Sequence, residues 1–437
     1  MNGRVTGFSK LNKNDKIDWL ISTYLAGNSD ARPTLEQYWN DDQKLQTLHD
    51  GFSENSITNF YLPYGLAPNF LIDGSLYTIP MAIEESSVLA AASKAAKFWL
   101  DRGGFTTSIK STIKTGQVHI TYDGLESEMD GFYAFAKAEL LQSIEPINAS
   151  MKKRGGGLKS LELVNKTGTL KGYYQVHATF DTRDAMGANF INTTLEQLAS
   201  TFSDLAQVYQ GFSATAPVVV MSILSNYVPD CAVNVRVSCP VEELGMINGV
   251  AALEFAQKFV QAVDIATHEP YRAVTHNKGI MNGIDAVVIA TGNDFRAVEA
   301  GIHAYAARDG QYRSLTRARI DRGEFVFEAD FPLALGTVGG LTSLHPLSRL
   351  AMQIMNNPDA AQLMRIVGVC GLAQNFAALH SLVTTGIQKG HMKMHLNNML
   401  EQVGASEAEK QVLISKLGKQ TPSFSVLRQL LLEIRSL

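Results

Sequence analysis

The stretch Gln117-Val118-His119-Ile120-Thr121-Tyr122 opens a run, closed by Val218-Val219-Val220-Met221-Ser222-Ile223-Leu224, whose changing periodicity decides the fold. Gln117 to Tyr122 alternates apolar and polar side chains, the mark of a strand with one face in a core. Leu125 to Ile144 then sets Met129, Phe132, Tyr133, Phe135, Ala136 and Leu140 on the apolar positions of a helix. Leu158–Val164 and Gly172–Phe180 return to strand character, joined by the turn-forming Asn165-Lys166-Thr167-Gly168. Met186 to Gln210 reads as a second helix, and Pro217 to Leu224 as a buried strand. The order β-α-β-β-α-β is that of the split βαβ, or ferredoxin-like, unit.

On both sides of this unit the chain is rich in helices of small residues that need a common core. The sequence therefore predicts an α+β protein: a large, mainly helical domain interrupted by a small inserted one, with a helical tail. The expected partition is 1–114 and 225–380 for the large domain, 115–224 for the insert and 381–437 for the tail. Upstream, a helix is expected from about Glu85 to Asp101, with Ala90, Ala91, Ala92, Ala95 and Ala96 permitting close packing and Gly103-Gly104 as a stop. In the tail, Ser406 and Glu409 form a capping box, and Pro422 opens a last helix.

A length of 437 residues suggests two or three domains. The hydrophobic share of 45% and charged share of 18% are those of a globular protein, and a net charge of -4 argues against a dedicated nucleic-acid binder. Apolar runs fall well short of the roughly 20 residues needed to cross a bilayer. Charged residues throughout Met1 to Leu20 exclude a signal peptide, which points to the cytoplasm and to no membrane partner. Cys231, Cys239 and Cys370, odd in number and without metal-site spacing, are expected to pack as small apolar residues.

Four segments carry more polar and glycine residues than burial requires. They are Pro80 to Ser87, Tyr271 to Gly283, Thr291-Gly292-Asn293-Asp294, and Gln388-Lys389-Gly390-His391. Ile284 to Ala290 is read as an apolar strand delivering Asp294 to a strand-to-helix corner, where ligands often bind. Each segment also has a plain structural reading. Glu84 and Glu85 favour a helix start, Lys278 suits a solvated loop, and Asp294 suits a helix N-cap. His391 and His395 lie four apart without a third ligand, so no metal site is expected.

These segments resemble those of 3-hydroxy-3-methylglutaryl-coenzyme A (HMG-CoA) reductase, in its shorter bacterial class. The resemblance runs from about Asn55 to Asn397 and rests on Met81 to Ala92, Asp184-Ala185-Met186-Gly187-Ala188-Asn189, His276 to Asp285, Gly292 to Gly301 and Gly386 to His391. It implies a catalytic set of Glu85, Lys278, Asp294 and His391. The implied reaction is the four-electron reduction of HMG-CoA to mevalonate and CoA by two NAD(P)H, or its reverse. Each hydride addition builds charge on oxygen, which suits the cation of Lys278. Each alkoxide needs a proton, which Glu85 would give. The thiolate of CoA, with an intrinsic pKa of about 8.5, would take one from His391. Asp294 would hydrogen-bond the lysine and the glutamate. A helix N-terminus opposes a neutral Glu85 by roughly 0.3 to 1 kcal/mol, so burial and Asp294 are expected to outweigh it.

By the same resemblance Ser87, Arg272, Asn226 and Asn282 contact the substrate, with the Arg272 guanidinium on its carboxylate. No Gly-x-Gly-x-x-Gly follows a strand, which disfavours a Rossmann fold. Asp184, Met186, Gly187, Ala188 and Asn189 open a helix whose N-H groups suit a pyrophosphate. Arg154, after Lys152-Lys153 and before Gly155-Gly156-Gly157, sits on a flexible basic loop that tips the cofactor toward NADPH. NADH is the alternative, for which an acid near Glu145 or Asn148 would bind the ribose. The family forms dimers, so a homodimer or a higher assembly of dimers is expected. The competing functions are a non-catalytic CoA-thioester-binding protein of the same fold and an acyl-transfer enzyme. The latter lacks a cysteine paired with a histidine.

Overall fold

The computed structural model describes residues 3–386, 396, 399–418 and 423–436. The chain divides into two compact units, Met1–Pro63 and Tyr64–Leu437. The first holds α1 (Lys13–Tyr24), α2 (Ala31–Gln37) and α3 (Gln43–Asp50). Asn12 and Asp42 cap α1 and α3 through their side chains, and Lys13 reaches Asp50 at 2.9 Å.

The second unit begins with a hairpin of β1 (Tyr64–Ile72) and β2 (Ser75–Ala82), turned at Asp73-Gly74, where both residues have positive φ. Helix α4 (Val88–Leu100) and strand β3 (Thr106–Ile109) follow, then the inserted unit. That unit runs β4 (Ile113–Thr121), α5 (Glu126–Ser143), α6 (Glu145–Lys153), β5 (Gly157–Asn165), β6 (Tyr173–Asp181), α7 (Ala188–Val208) and β7 (Val218–Leu224). Its sheet has the order β5-β6-β4-β7 with all neighbours antiparallel. The strand third in sequence thus lies between the first two, the split βαβ expected. One face of the sheet and α5 and α7 enclose a core of Val118, Ile120, Phe132, Tyr174, Phe180 and Phe202.

The chain returns through β8 (Ala232–Pro240), α8 (Ala252–His268), α9 (Pro270–Ala290), α10 (Phe295–Ala306), β9 (Thr316–Asp321), β10 (Glu324–Pro332), α11 (Gly340–Leu344), α12 (Pro346–Ile354) and α13 (Ala360–Leu382). A sheet of order β3-β8-β10-β9 backs this domain. Helices α9 and α13 pack through glycine. A Cβ on Gly283 would stand 2.3 Å from the Cys370 carbonyl oxygen, and one on Gly371 would stand 2.8 Å from Ile284. In the tail, helices Glu407–Leu417 and Phe424–Arg435 close a small cluster of their own with Met399 and Leu400. The Ser406–Glu409 capping box is present; Pro422 lies outside the described residues. All three cysteines are free and buried.

Four sequence readings need correction. Ile284–Ala290 is the last third of α9, not a strand: it is apolar on nearly every side because α9 is buried on nearly every side, so the helical period is hidden. The helix after β2 starts at Val88, with Ser87 at its N-cap, so Glu85 precedes it. Strand β7 is not buried but lies at the sheet edge, with Val218, Val220, Met221 and Ile223 exposed. Finally, Lys152 and Lys153 belong to the last turn of α6, a helix the sequence reading passed over, and Arg154 is its C-cap.

Candidate active site

The hairpin strand β2 carries the chain to Glu85, and α9 brings Lys278 to meet it. Lys278 Nζ lies 2.5 Å from Glu85 Oε2. Between Glu85 and α4, Ser87 holds a left-handed conformation (φ 76°) with no side-chain capping bond. A non-glycine residue held there costs roughly 1 to 3 kcal/mol, and such strain concentrates where a segment serves a ligand.

Along α9, Lys278, Asn282 and Asp285 are spaced i, i+4, i+7 and so share one face. Asn282 is half-exposed there, a turn from the lysine. Arg272, in the first turn, is half-buried, its guanidinium has no carboxylate partner among the described residues, and burial holds its pKa below the ordinary arginine value. A half-desolvated guanidinium has the planar donor geometry that suits a carboxylate or phosphate. Beneath the ligand face, His276 is buried, with Nε2 2.6 Å from Thr316 Oγ1, and burial followed by the Arg272 charge pushes it down to about 3. It is neutral and structural.

Asp294 is the N-cap of α10, accepting from the Arg296 and Ala297 amides at 3.1 and 3.2 Å, and its carboxylate also pairs with the Arg296 side chain. Partial burial works to raise its pKa, but these hydrogen bonds win and hold the carboxyl below the usual range. The structure does not bring Asp294 into a hydrogen bond with Lys278 or Glu85. Beside it, Asn293 Oδ1 accepts from the Gly336 amide at 2.9 Å, fixing the corner. His391 lies outside the described residues.

Facing α10 is the start of α7. Gly187 is its N-cap in the left-handed region (φ 94°), where a Cβ would stand 2.4 Å from Thr182 Cγ2. No side chain caps this helix and no acid sits in its first turn, so its N-H groups are available to an anion. Met186 and Ala188 line one cleft with Asn226 and Ala297, which joins a predicted cofactor segment to a predicted substrate residue. Asp184 instead secures the turn: its backbone oxygen accepts from Thr337 N at 2.7 Å and its carboxylate from Ala360 N at 3.0 Å. Arg183 Nη2 donates to the Gly155 oxygen at 2.6 Å, tying the glycine loop to the same turn. Lys114, Thr182 and Arg183 were missed in the sequence. For Lys114 a signal existed, since the period of two puts it in phase with the inward-facing Gly116, Val118 and Ile120.

The inserted split-βαβ unit presents a helix N-terminus to a cleft on the helical domain, the architecture of class II HMG-CoA reductases. Its solved examples include the Streptococcus pneumoniae 3-hydroxy-3-methylglutaryl-coenzyme A reductase, 38% identical, with a TM-score of 0.72 over 98% of this chain and 99% of that one. A class II structure from the same organism, described as bound to NADPH in open conformations, is 37% identical with a TM-score of 0.72, covering 97% and 100%. The enzyme of that name from Archaeoglobus fulgidus is 38% identical over 94% of this chain and 89% of its own length. The family model described as hydroxymethylglutaryl-coenzyme A reductase matches residues 23–396, and the chain belongs to this family. It is an NAD(P)-dependent oxidoreductase that interconverts HMG-CoA with mevalonate and CoA.

Proposed function

We propose that the reaction runs at Lys278 and Glu85, with NADPH, held at the α7 N-terminus, as reductant. The observation that carries this reading is the Lys278–Glu85 contact at 2.5 Å, in which the ammonium donates to the carboxyl group proposed as the proton source. Two NADPH molecules, bound in turn, would supply one hydride each. Lys278 stabilises the oxygen that becomes negative at each addition. Glu85 delivers the proton that quenches the alkoxide, and the lysine ammonium orients it. Asp294, at the α10 N-terminus, acts as a fixed negative charge at the cleft, and His391 is assigned protonation of the departing CoA thiolate. Arg272 pairs the substrate carboxylate, with Ser87, Asn226 and Asn282 holding the hydroxymethylglutaryl group.

The residues at the α7 start fit a dinucleotide. Gly187 leaves room at the first exposed amides, and Met186, Ala188 and Asn189 border the diphosphate position, with Asp184 holding the turn. The 2′-phosphate favours Arg154 and Lys153, neither of which pairs a carboxylate among the described residues. The NADH alternative is less well supplied: Glu145 pairs Lys152 at 2.6 Å, and Asn148, an amide in place of an acid, is buried and accepts from Leu158 N. The chain is further proposed to work as a homodimer in the cytoplasm. The exposed apolar residues of β7 support the former, and the latter accords with the lack of any described helix long and apolar enough to cross a membrane.

Initial rates of nicotinamide oxidation with HMG-CoA, at equal NADPH and NADH, test the reading. Faster oxidation of NADPH is expected; equal or faster NADH would overturn the cofactor assignment. No thioester-dependent oxidation of either would overturn the whole.

A further inference from the structure

A buried ammonium lies outside every role assigned so far. Lys114, second residue of β4, points into the fold with only 5% of its surface exposed. Its Nζ donates to Thr182 Oγ1 at 2.6 Å and to the Ala185 oxygen at 2.8 Å. Thr182 Oγ1 donates to that same Ala185 oxygen at 2.6 Å, and Ala185 N returns a bond to the Thr182 oxygen at 3.0 Å. The turn that leads into α7 is thus closed on itself and pinned from below. From the other side Thr337 and Ala360 hold Asp184. Gly187 packs against Thr182 with no room for a side chain, since a Cβ there would stand 2.4 Å from the Thr182 methyl, so the turn and the α7 N-cap adjoin.

Sealing an ammonium in this way is expensive, and an apolar residue of like volume is often as stable. Burial accordingly draws its pKa below the lysine value, against the opposing pull of the Asp181 and Asp184 carboxylates.

We propose that Lys114 is a positioning residue for the nicotinamide dinucleotide, fixing the Thr182–Ala185 turn so that the amides of Gly187, Ala188 and Asn189 meet the diphosphate already arranged. This rests on the reading of the α7 start as the cofactor site. Preorganisation of this kind spares binding the cost of ordering the turn. The effect therefore falls on the cofactor more than on the thioester, whose proposed contacts Arg272, Asn282 and Ser87 lie on α9 and at the α4 N-cap.

The test uses the purified full-length enzyme with NADPH binding followed by nicotinamide fluorescence, alongside KM for each substrate. Lys114→Met is expected to weaken NADPH binding by about tenfold or more, the scale of a lost charged hydrogen bond, with KM for HMG-CoA within about twofold of the parent. Lys114→Arg should recover part of the loss. Thr182→Val should weaken binding similarly, and the double variant should be no weaker than Lys114→Met alone, because both remove one device. Should Lys114→Met not fold, Thr182→Val carries the same comparison. Ala188→Glu puts a carboxylate at the first turn of α7. If it binds NADPH normally, the cofactor-site reading is wrong. If it abolishes binding while Lys114→Met and Thr182→Val bind like the parent, or raise both KM values alike, the positioning role is overturned and the site stands.

Discussion

Lys278 and Glu85, 193 residues apart in the chain, meet with Nζ 2.5 Å from Oε2. The contact joins the first hairpin of the large domain to its central helix, and it places the proposed acid against the proposed oxyanion cation. Replacing Glu85 by Gln keeps the shape and a weaker hydrogen bond to Lys278 but removes the transferable proton. A fall in kcat of roughly 100- to 10,000-fold is expected, the usual range for general acid catalysis, with the dissociation constant for HMG-CoA changed little. Single-turnover kinetics and equilibrium binding separate the two; near-parental kcat would remove Glu85 from the mechanism.

Arg272 leads to a different signature. Its guanidinium is half-buried without a carboxylate partner among the described residues, so the substrate is its proposed partner. Arg272→Ala should raise KM for HMG-CoA by about 10- to 100-fold, equivalent to one charged hydrogen-bonded pair, and leave kcat within a fewfold. A KM unchanged at saturating NADPH would show that the arginine serves something else.

Gly283 sets the distance between α9 and α13. Alanine favours a helix by about 1 kcal/mol over glycine, but here its methyl would stand 2.3 Å from the carbonyl oxygen and 2.8 Å from the carbonyl carbon of Cys370. Backbone cannot swing aside as a side chain can. Overpacking of this kind costs about 1 to 3 kcal/mol or more, so Gly283→Ala should be net destabilising, as a lower denaturant midpoint at an unchanged m-value would register.

Asp285, two turns beyond Lys278, faces Glu299 of α10, and burial followed by that neighbouring carboxylate pushes it up to about 8. Its Oδ1 is buried without a partner. The native state therefore holds a proton there that an unfolded chain releases near pH 4. Stability from this group is complete below pH 4 and lost as pH climbs toward 8. Asp285→Asn, which keeps a hydrogen bond to Glu299 at every pH, should gain on the parent between pH 5 and pH 8 in denaturant midpoint. A constant difference across that range would mean that Asp285 is not protonated in the fold.

The inserted domain was legible because its sheet has one covered face: Val118, Ile120, Val176 and Ala178 alternate with exposed or half-exposed neighbours, and the period survives in the sequence. In α9 the opposite holds. Buried positions such as Ile284, Ala286, Val287, Val288 and Ala290 leave no polar face to mark the turn of a helix, and a strand was the natural misreading. The short α6 carried its own marks, Pro146 in the first turn and Lys152 and Lys153 in the last, but nine residues give too little apolar period to stand out from a loop. The Lys278–Glu85 meeting follows from no spacing. It is a product of tertiary packing, and only family resemblance pointed to it.

The continuity of α9 also constrains how chains of this type can diverge. Arg272 and Asn282 are ten steps apart on one rigid rod, about 15 Å along its axis. Inserting or deleting a single residue between them would swing one end about 100° relative to the other. Arg272, Lys278 and Asn282 would no longer address the same ligand. Among related sequences, gaps should therefore be absent from 272–282 and fall instead in surface connections such as Asn165–Gly172, where an added residue turns nothing else.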